Sequence, residues 1–143
     1  MNYIKTHGQE LETAYPYTAV TGTCKYSAAS GKVNVNTIAN VTPSSVAQLK
    51  AAIAQGPTSV TVEADTAVFQ QYTGGILNSK ACGTNLDHAI TAVGYGTSGT
   101  TDYYIVRNSW GASWGDAGYI NIAAVSGVGI CGIQQTSVWP TTN

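Results

Sequence analysis

At 143 residues the chain is long enough for one domain with a core of its own. Only 9% of residues are charged, and Lys+Arg 6 against Asp+Glu 7 leaves a net charge of −1, so neither the basic stripe of a nucleic-acid binder nor a polybasic membrane patch is present. The 43% hydrophobic content argues against disorder, and no apolar run reaches the roughly 20 residues of a membrane span.

Residues 1–8 show helical spacing around Tyr3, Ile4 and His7 and stop at Gly8. No capping residue opens this stretch, so it reads as the end of a longer helix. Residues 9–31 are turn-rich, with Tyr15-Pro16-Tyr17 and Thr21-Gly22-Thr23. Residues 32–41 alternate loosely around Val33, Val35 and Ile38 and read as a strand. The clearest helix is predicted over 42–56. Thr42 serves as its N-cap, Pro43 as its first residue, and Val46, Leu49 and Ile53 as its apolar face. Gly56 ends it and Pro57 bars its resumption. Strands are predicted over 58–64, 88–95, 103–107, 119–122 and 129–138. The chain thus reads as a short helical entry followed by a β-rich body with one long helix.

Three cysteines, Cys24, Cys82 and Cys131, form no Cys-x-x-Cys pair and give no zinc signature. Either all are buried thiols, or two are bridged and one is left over. Low charge and abundant Ser and Thr favour a secreted or lysosomal setting. The Asn40-Val41-Thr42 sequon is compatible with it. His7 reads as a solvated side chain. His88, at the edge of an apolar strand, would by itself be read as a satisfied core histidine. The segment Asn108-Ser109-Trp110-Gly111-Ala112-Ser113-Trp114-Gly115 alters that reading. Its glycines permit a tight loop that the tryptophans can cover. A polar amide just before a tryptophan, paired with one strand-edge histidine, suggests a site.

These segments resemble the papain-like cysteine peptidases, the cathepsin L group especially. The likeness rests on Leu86-Asp87-His88-Ala89, Val93-Gly94-Tyr95-Gly96, Asn108-Ser109-Trp110-Gly111, Trp114-Gly115 and Gly118-Tyr119. Tyr15-Pro16-Tyr17 with Cys24, Gly56-Pro57 with Ser59-Val60, and Cys131-Gly132-Ile133 through Trp139-Pro140 extend it from end to end. The implied fold is α+β: an antiparallel β-barrel-like C-terminal domain with one long helix over 32–143, and a remnant of a helical domain over 1–31. The resemblance makes His88 the catalytic imidazole, Asn108 its orienting amide, and Trp110 the shield over their hydrogen bond. It also places Thr61, Leu86, Ala89 and Thr136 around the cleft for the second residue before the scissile bond. An apolar side chain is the implied preference there. A Cys82–Cys131 disulfide is implied, with Cys24 outside it. No metal or organic cofactor is implied.

The family's nucleophile lies in a Gln…Cys-Gly-Ser-Cys-Trp stretch that this chain lacks. It precedes the histidine and asparagine by roughly 130–150 residues, which falls before Met1. The expected function is therefore cysteine endopeptidase chemistry through an acyl-enzyme on peptide or protein substrates. This chain supplies His and Asn, another segment supplies Gln and Cys, and the isolated chain is expected to be inactive. A lysosomal, vacuolar or secreted location is expected. The alternatives are a nonenzymatic peptidase homologue that binds peptides or a partner, and a structural or storage protein.

Overall fold

Alternating burial along residues 58–62 gives this chain its centre. Thr58, Val60 and Val62 are fully buried while Ser59 and Thr61 point the other way, as a pleated strand with one covered face requires. The computed structural model describes residues 1–142. Its helices are α1 (Asn2–His7), α2 (Val46–Gln55) and α3 (Ala67–Gln70). Its strands are β1 (Gln9–Glu10), β2 (Gly31–Val33), β3 (Val35–Asn40), β4 (Thr58–Val62), β5 (Ile76–Leu77), β6 (His88–Ser98), β7 (Thr101–Arg107), β8 (Tyr119–Ala123) and β9 (Ser137–Thr142). Short 3-10 turns cover Ala28–Ser30, Lys80–Cys82 and Ile130–Gly132. The chain divides into two units, residues 40–139 and residues 1–39 with the end of β9.

In the smaller unit β1 pairs with β2. Tyr3 stacks on His7 at 4.4 Å, and Tyr26 meets both rings edge-on. In the larger unit the strand order is β9-β4-β6-β7-β8-β5. All pairings are antiparallel except β5 with β8. The sheet is open. This corrects the barrel-like expectation: β5 is two residues long and among the described residues pairs only with β8, so none of them closes that edge.

The long helix starts three residues later than its sequence signals suggest. Ser45, not Thr42, accepts from the Gln48 N–H at 3.2 Å. Val41 and Ser44 instead donate their N–H groups to the carbonyls of Ser137 and Gln134, and Ser44 takes φ 57°. That stitching holds 41–44 outside helical geometry. Leu49, Ala52 and Ile53 form the buried face. The strand expected over 129–138 is a turn and then β9, because Gly129, Cys131 and Gly132 all have positive φ. The strand expected over 32–41 is divided at Asn34.

A bulge in β6 matters for the site. Ala92 faces Val106, but Gly94 faces Ile105, so Val93 is the extra residue. Tyr104 is fully buried in the core. Its hydroxyl donates to Gln134 Oε1 at 2.8 Å, and Gln134 Nε2 donates to the carbonyls of Val125 and Gly127. This satisfies a buried amide that would otherwise cost about 1–3 kcal/mol.

Cys82 and Cys131 are joined in a disulfide that links positions 49 apart in sequence, and Cys24 is an exposed free thiol. Among the described residues no helix is long and apolar enough to cross a membrane, and no group of three His, Cys, Asp or Glu could hold a metal.

Two outcomes follow from this packing. Replacing both Cys82 and Cys131 with Ser should lower the unfolding free energy by about 4 kcal/mol in the chain-entropy treatment of such a loop, read by denaturant titration. A loss below about 1 kcal/mol would show that the unfolded chain is already constrained there. Burial also pushes the Tyr104 phenol well above its ordinary pKa. The unfolded state therefore ionises first on the alkaline side. Stability should be full below about pH 10 and fall above it, and Tyr104→Phe should flatten that decline in urea titrations across pH 8–11.

Candidate active site

His88 opens β6, and Asn108 follows the last residue of β7. The register before the bulge places Ala92 opposite Val106. Extending it puts Asn108 opposite Ile90, diagonal to His88 on the same face. The Asn108 N–H donates to the Gly118 carbonyl at 2.9 Å, which holds the residue in line with the strand.

The side chains meet as Nε2 of His88 and Oδ1 of Asn108, 2.9 Å apart. The Ser109 N–H donates to the same oxygen at 2.8 Å. That second donor fixes the amide orientation, since an amide nitrogen there would face an N–H. The oxygen therefore accepts, and Nε2 of His88 carries the proton. Nδ1, the other ring nitrogen, has no hydrogen-bond partner among the described residues. Asn108 is 8% exposed, and its Nδ2 has no partner among the described residues.

Aromatic rings surround the pair. Trp110 stacks on His88 at 5.1 Å with a 28° interplanar angle. Phe69 meets Trp110 edge-on at 5.6 Å and stacks on Trp114 at 5.2 Å. The Trp114 indole N–H donates to the Gln70 carbonyl at 2.9 Å, tying the loop to α3. Gly115 has φ +60°, and a Cβ there would stand 2.5 Å from the Tyr119 carbonyl oxygen. Only glycine lets this loop turn back onto β8.

Asp87 secures the approach to His88. Its carboxylate accepts from the N–H groups of Ala64 at 2.8 Å and Asp65 at 3.1 Å. Its own N–H donates to the Val62 carbonyl. Phe69 and α3 were absent from the sequence reading, because a four-residue helix carries no measurable periodicity. Asp87 was visible in its motif, but its two backbone partners lie 22 and 23 residues away.

The four residues expected around a substrate cleft come from β4, β6, the loop before β6 and the turn before β9. Thr61 on β4 is opposite Ala89 on β6, and its hydroxyl donates to the Thr136 carbonyl at 3.0 Å. These three lie together on the face turned away from the core. Leu86 sits in the loop before His88 and packs over Gly132, where a Cβ would stand 2.8 Å from Leu86 Cδ2.

The papain family cysteine protease profile matches residues 1–141. The chain is 42% identical over 146 residues to papaya proteinase 4 of Carica papaya, covering 100% of this chain and 42% of that protein. It is 42% identical over 140 residues to a cathepsin L-like proteinase of Fasciola hepatica, covering 96% and 42%. The bromelain protease of Ananas comosus, solved with the E64 inhibitor, superposes with a TM-score of 0.87 at 40% identity, covering 98% of this chain and 66% of that one. The chain belongs to the papain family of cysteine proteases. It spans less than half the length of these two curated relatives.

The stack over His88 yields a direct test. In Trp110→Ala the ring should lose its cover, and the Nε2–H proton signal of His88 should broaden through solvent exchange in proton NMR. The amide of Tyr104 should keep its protection. A His88 signal as sharp as in the parent chain would show that Asn108 alone holds the ring.

Proposed function

We propose that this chain carries the imidazole and the orienting amide of a papain-type cysteine endopeptidase, and that a Gln- and Cys-bearing segment outside these 143 residues supplies the nucleophile. The observation that carries this reading is the His88–Asn108 hydrogen bond, set under Trp110 with its amide orientation fixed by Ser109. It is supported by membership of the family along the whole chain.

In the reaction Nδ1 of His88 takes the thiol proton, and the resulting imidazolium stabilises the thiolate. The thiolate attacks the scissile carbonyl. The imidazolium then gives the proton to the leaving amine, which departs as an acyl-enzyme forms. Water, deprotonated by the same ring, releases the acid and restores the thiol. Asn108 keeps the ring angle and the tautomer through both halves of the cycle. Trp110 lowers the dielectric around that hydrogen bond and strengthens it.

Within this reading residues 1–31 are the remnant of the helical domain and 32–143 are the domain that carries the site. Thr61, Leu86, Ala89 and Thr136 line the cleft for the second residue before the scissile bond. Leu86 and Ala89 are apolar and no carboxylate stands among the four, so a leucine or phenylalanine is favoured there. Substrates are peptides or proteins met in a vacuole, a lysosome or outside the cell. Cys82 and Cys131 are bridged, and a bridged sulfur offers no thiolate.

The experiment joins this chain to the Gln…Cys segment of a relative and assays an apolar-plus-arginine fluorogenic peptide, with an epoxide thiol inhibitor as control. Inhibitor-sensitive turnover is expected only in the joined protein. His88→Ala should lower kcat/KM by about 10³-fold or more. Asn108→Ala should lower it less, since the amide moves no proton. Turnover by the 143-residue chain alone, with the inhibitor's label on Cys24, would overturn the assignment of the nucleophile. Absence of turnover in the joined, folded protein would favour a peptide-binding homologue.

A further inference from the structure

Glu63 follows β4 and is 9% exposed. A carboxylate this buried needs donors, and the structure gives it one: the N–H of Asn85 donates to Oε2. The N–H of Glu63 itself donates to the Cys131 carbonyl at 2.9 Å. Gly83 has φ +77°, and a Cβ built on it would fall on the Glu63 carboxylate. The carboxyl group thus lies directly over the Gly83 backbone, in space that only glycine leaves open.

The segment that this group touches is short and irregular. It runs from Gly83, after the 3-10 turn that ends in the bridged Cys82, to Asp87, before β6. Five residues carry Leu86 and lead into His88. Asp87 pins the far end to Ala64 and Asp65. Glu63 pins the middle, beside Leu86. Among the described residues no other side-chain hydrogen bond reaches the Asn85 N–H.

We propose that Glu63 is a positioning residue whose buried carboxylate clamps the 83–87 segment against the end of β4, and through that segment sets the placement of Leu86 and the entry of His88 into β6. The clamp itself is independent of any activity. Its consequence for peptide recognition rests on the peptidase reading above.

The test uses Glu63→Ala and Glu63→Gln in the full 15N-labelled chain. Three readouts are taken: hydrogen exchange at the Asn85 amide, exchange at the Tyr104 amide, and the His88 Nε2–H signal. Losing one backbone hydrogen bond corresponds to about a tenfold faster exchange at Asn85 in Glu63→Ala. The His88 signal should broaden with it, and Tyr104 should stay within about twofold. Glu63→Gln keeps an acceptor oxygen of the same reach, so acceleration of about threefold, confined to 85–88, is expected.

In the joined, active protein Glu63→Ala should raise KM for a peptide with leucine at the second position before the scissile bond more than for one with glycine. kcat should change less. Unchanged exchange at Asn85 in Glu63→Ala would overturn the proposal. So would equal acceleration of Asn85 and Tyr104 in both variants, because Glu63 would then act on global stability alone. If Glu63→Ala does not fold, Glu63→Gln decides: acceleration that is absent or spread evenly along the chain counts against the clamp. A parent protein that folds but turns over nothing would defeat the peptidase reading while leaving the exchange result to decide the clamp.

Discussion

The hydrogen bond between His88 and Asn108 depends on a single extra residue in β6. From the hairpin outward, Ser98 faces Thr101 and Gly94 faces Ile105. Had that register continued, Asn108 would stand opposite Thr91, on the face away from His88, because a slip of one residue reverses every side chain. The bulge at Val93 shifts the count by one. Ala92 then faces Val106, and Asn108 falls on the same face as Ile90 and His88. Val93 itself is pushed outward and is 41% exposed. The same shift leaves Tyr95 and Thr97 on the α2 side, where Lys50 lies over the Tyr95 ring and Thr97 bonds Asp102.

Once the two polar side chains share a face, the aromatic rings have something to cover. Trp110 follows Asn108 by two residues and lies flat on the imidazole. It is 40% exposed and cannot hold that position alone. Phe69, fully buried on α3, meets its edge, and Trp114 braces it from the side. The short helix exists for this contact. Four residues gain little from helical hydrogen bonding, so tertiary burial of Phe69 must hold α3 in place. Trp114's bond to Gln70 closes the ring of contacts. The site is therefore a polar pair from neighbouring strands with an apolar roof from a loop and a helix.

The parts of this arrangement readable in the sequence are those encoded locally. His88 and Asn108 sit in long ordered segments, and the glycines after both tryptophans announce a tight loop. The buried face of α2 follows from Leu49 and Ile53 at helical spacing. Its start did not follow, because Pro43 after Thr42 imitates a helix entry that Gln134 and Ser137 then prevent by capturing backbone groups. The bulge is invisible locally: Ala92-Val93-Gly94 reads as an unbroken strand, and only the partner strand reveals the extra residue. The open sheet could not be read either. Edge pairing is a property of distant segments, and β5 is too short to carry a period.

The acidic residues show how so sparingly charged a chain fixes its loops. There are seven. Four of them, Glu10, Glu12, Glu63 and Asp87, accept from backbone N–H groups of segments distant in sequence or across a turn. Asp102 makes the only salt bridge among the described residues, with Lys50. Irregular segments leave N–H donors that no ladder satisfies. A carboxylate meets them with short, strong, directional bonds, whereas an exposed ion pair between flexible side chains adds little. Directional bonds also fix backbone position, which a point charge does not. Around His88 the distinction is decisive. Glu63 and Asp87 tie the 83–87 segment to the end of β4 from opposite sides: Glu63 accepts from Asn85 within it, and Asp87 accepts from Ala64 and Asp65 beyond β4. The imidazole is thus aimed from below by backbone held on carboxylates, and from above by the amide and the indole.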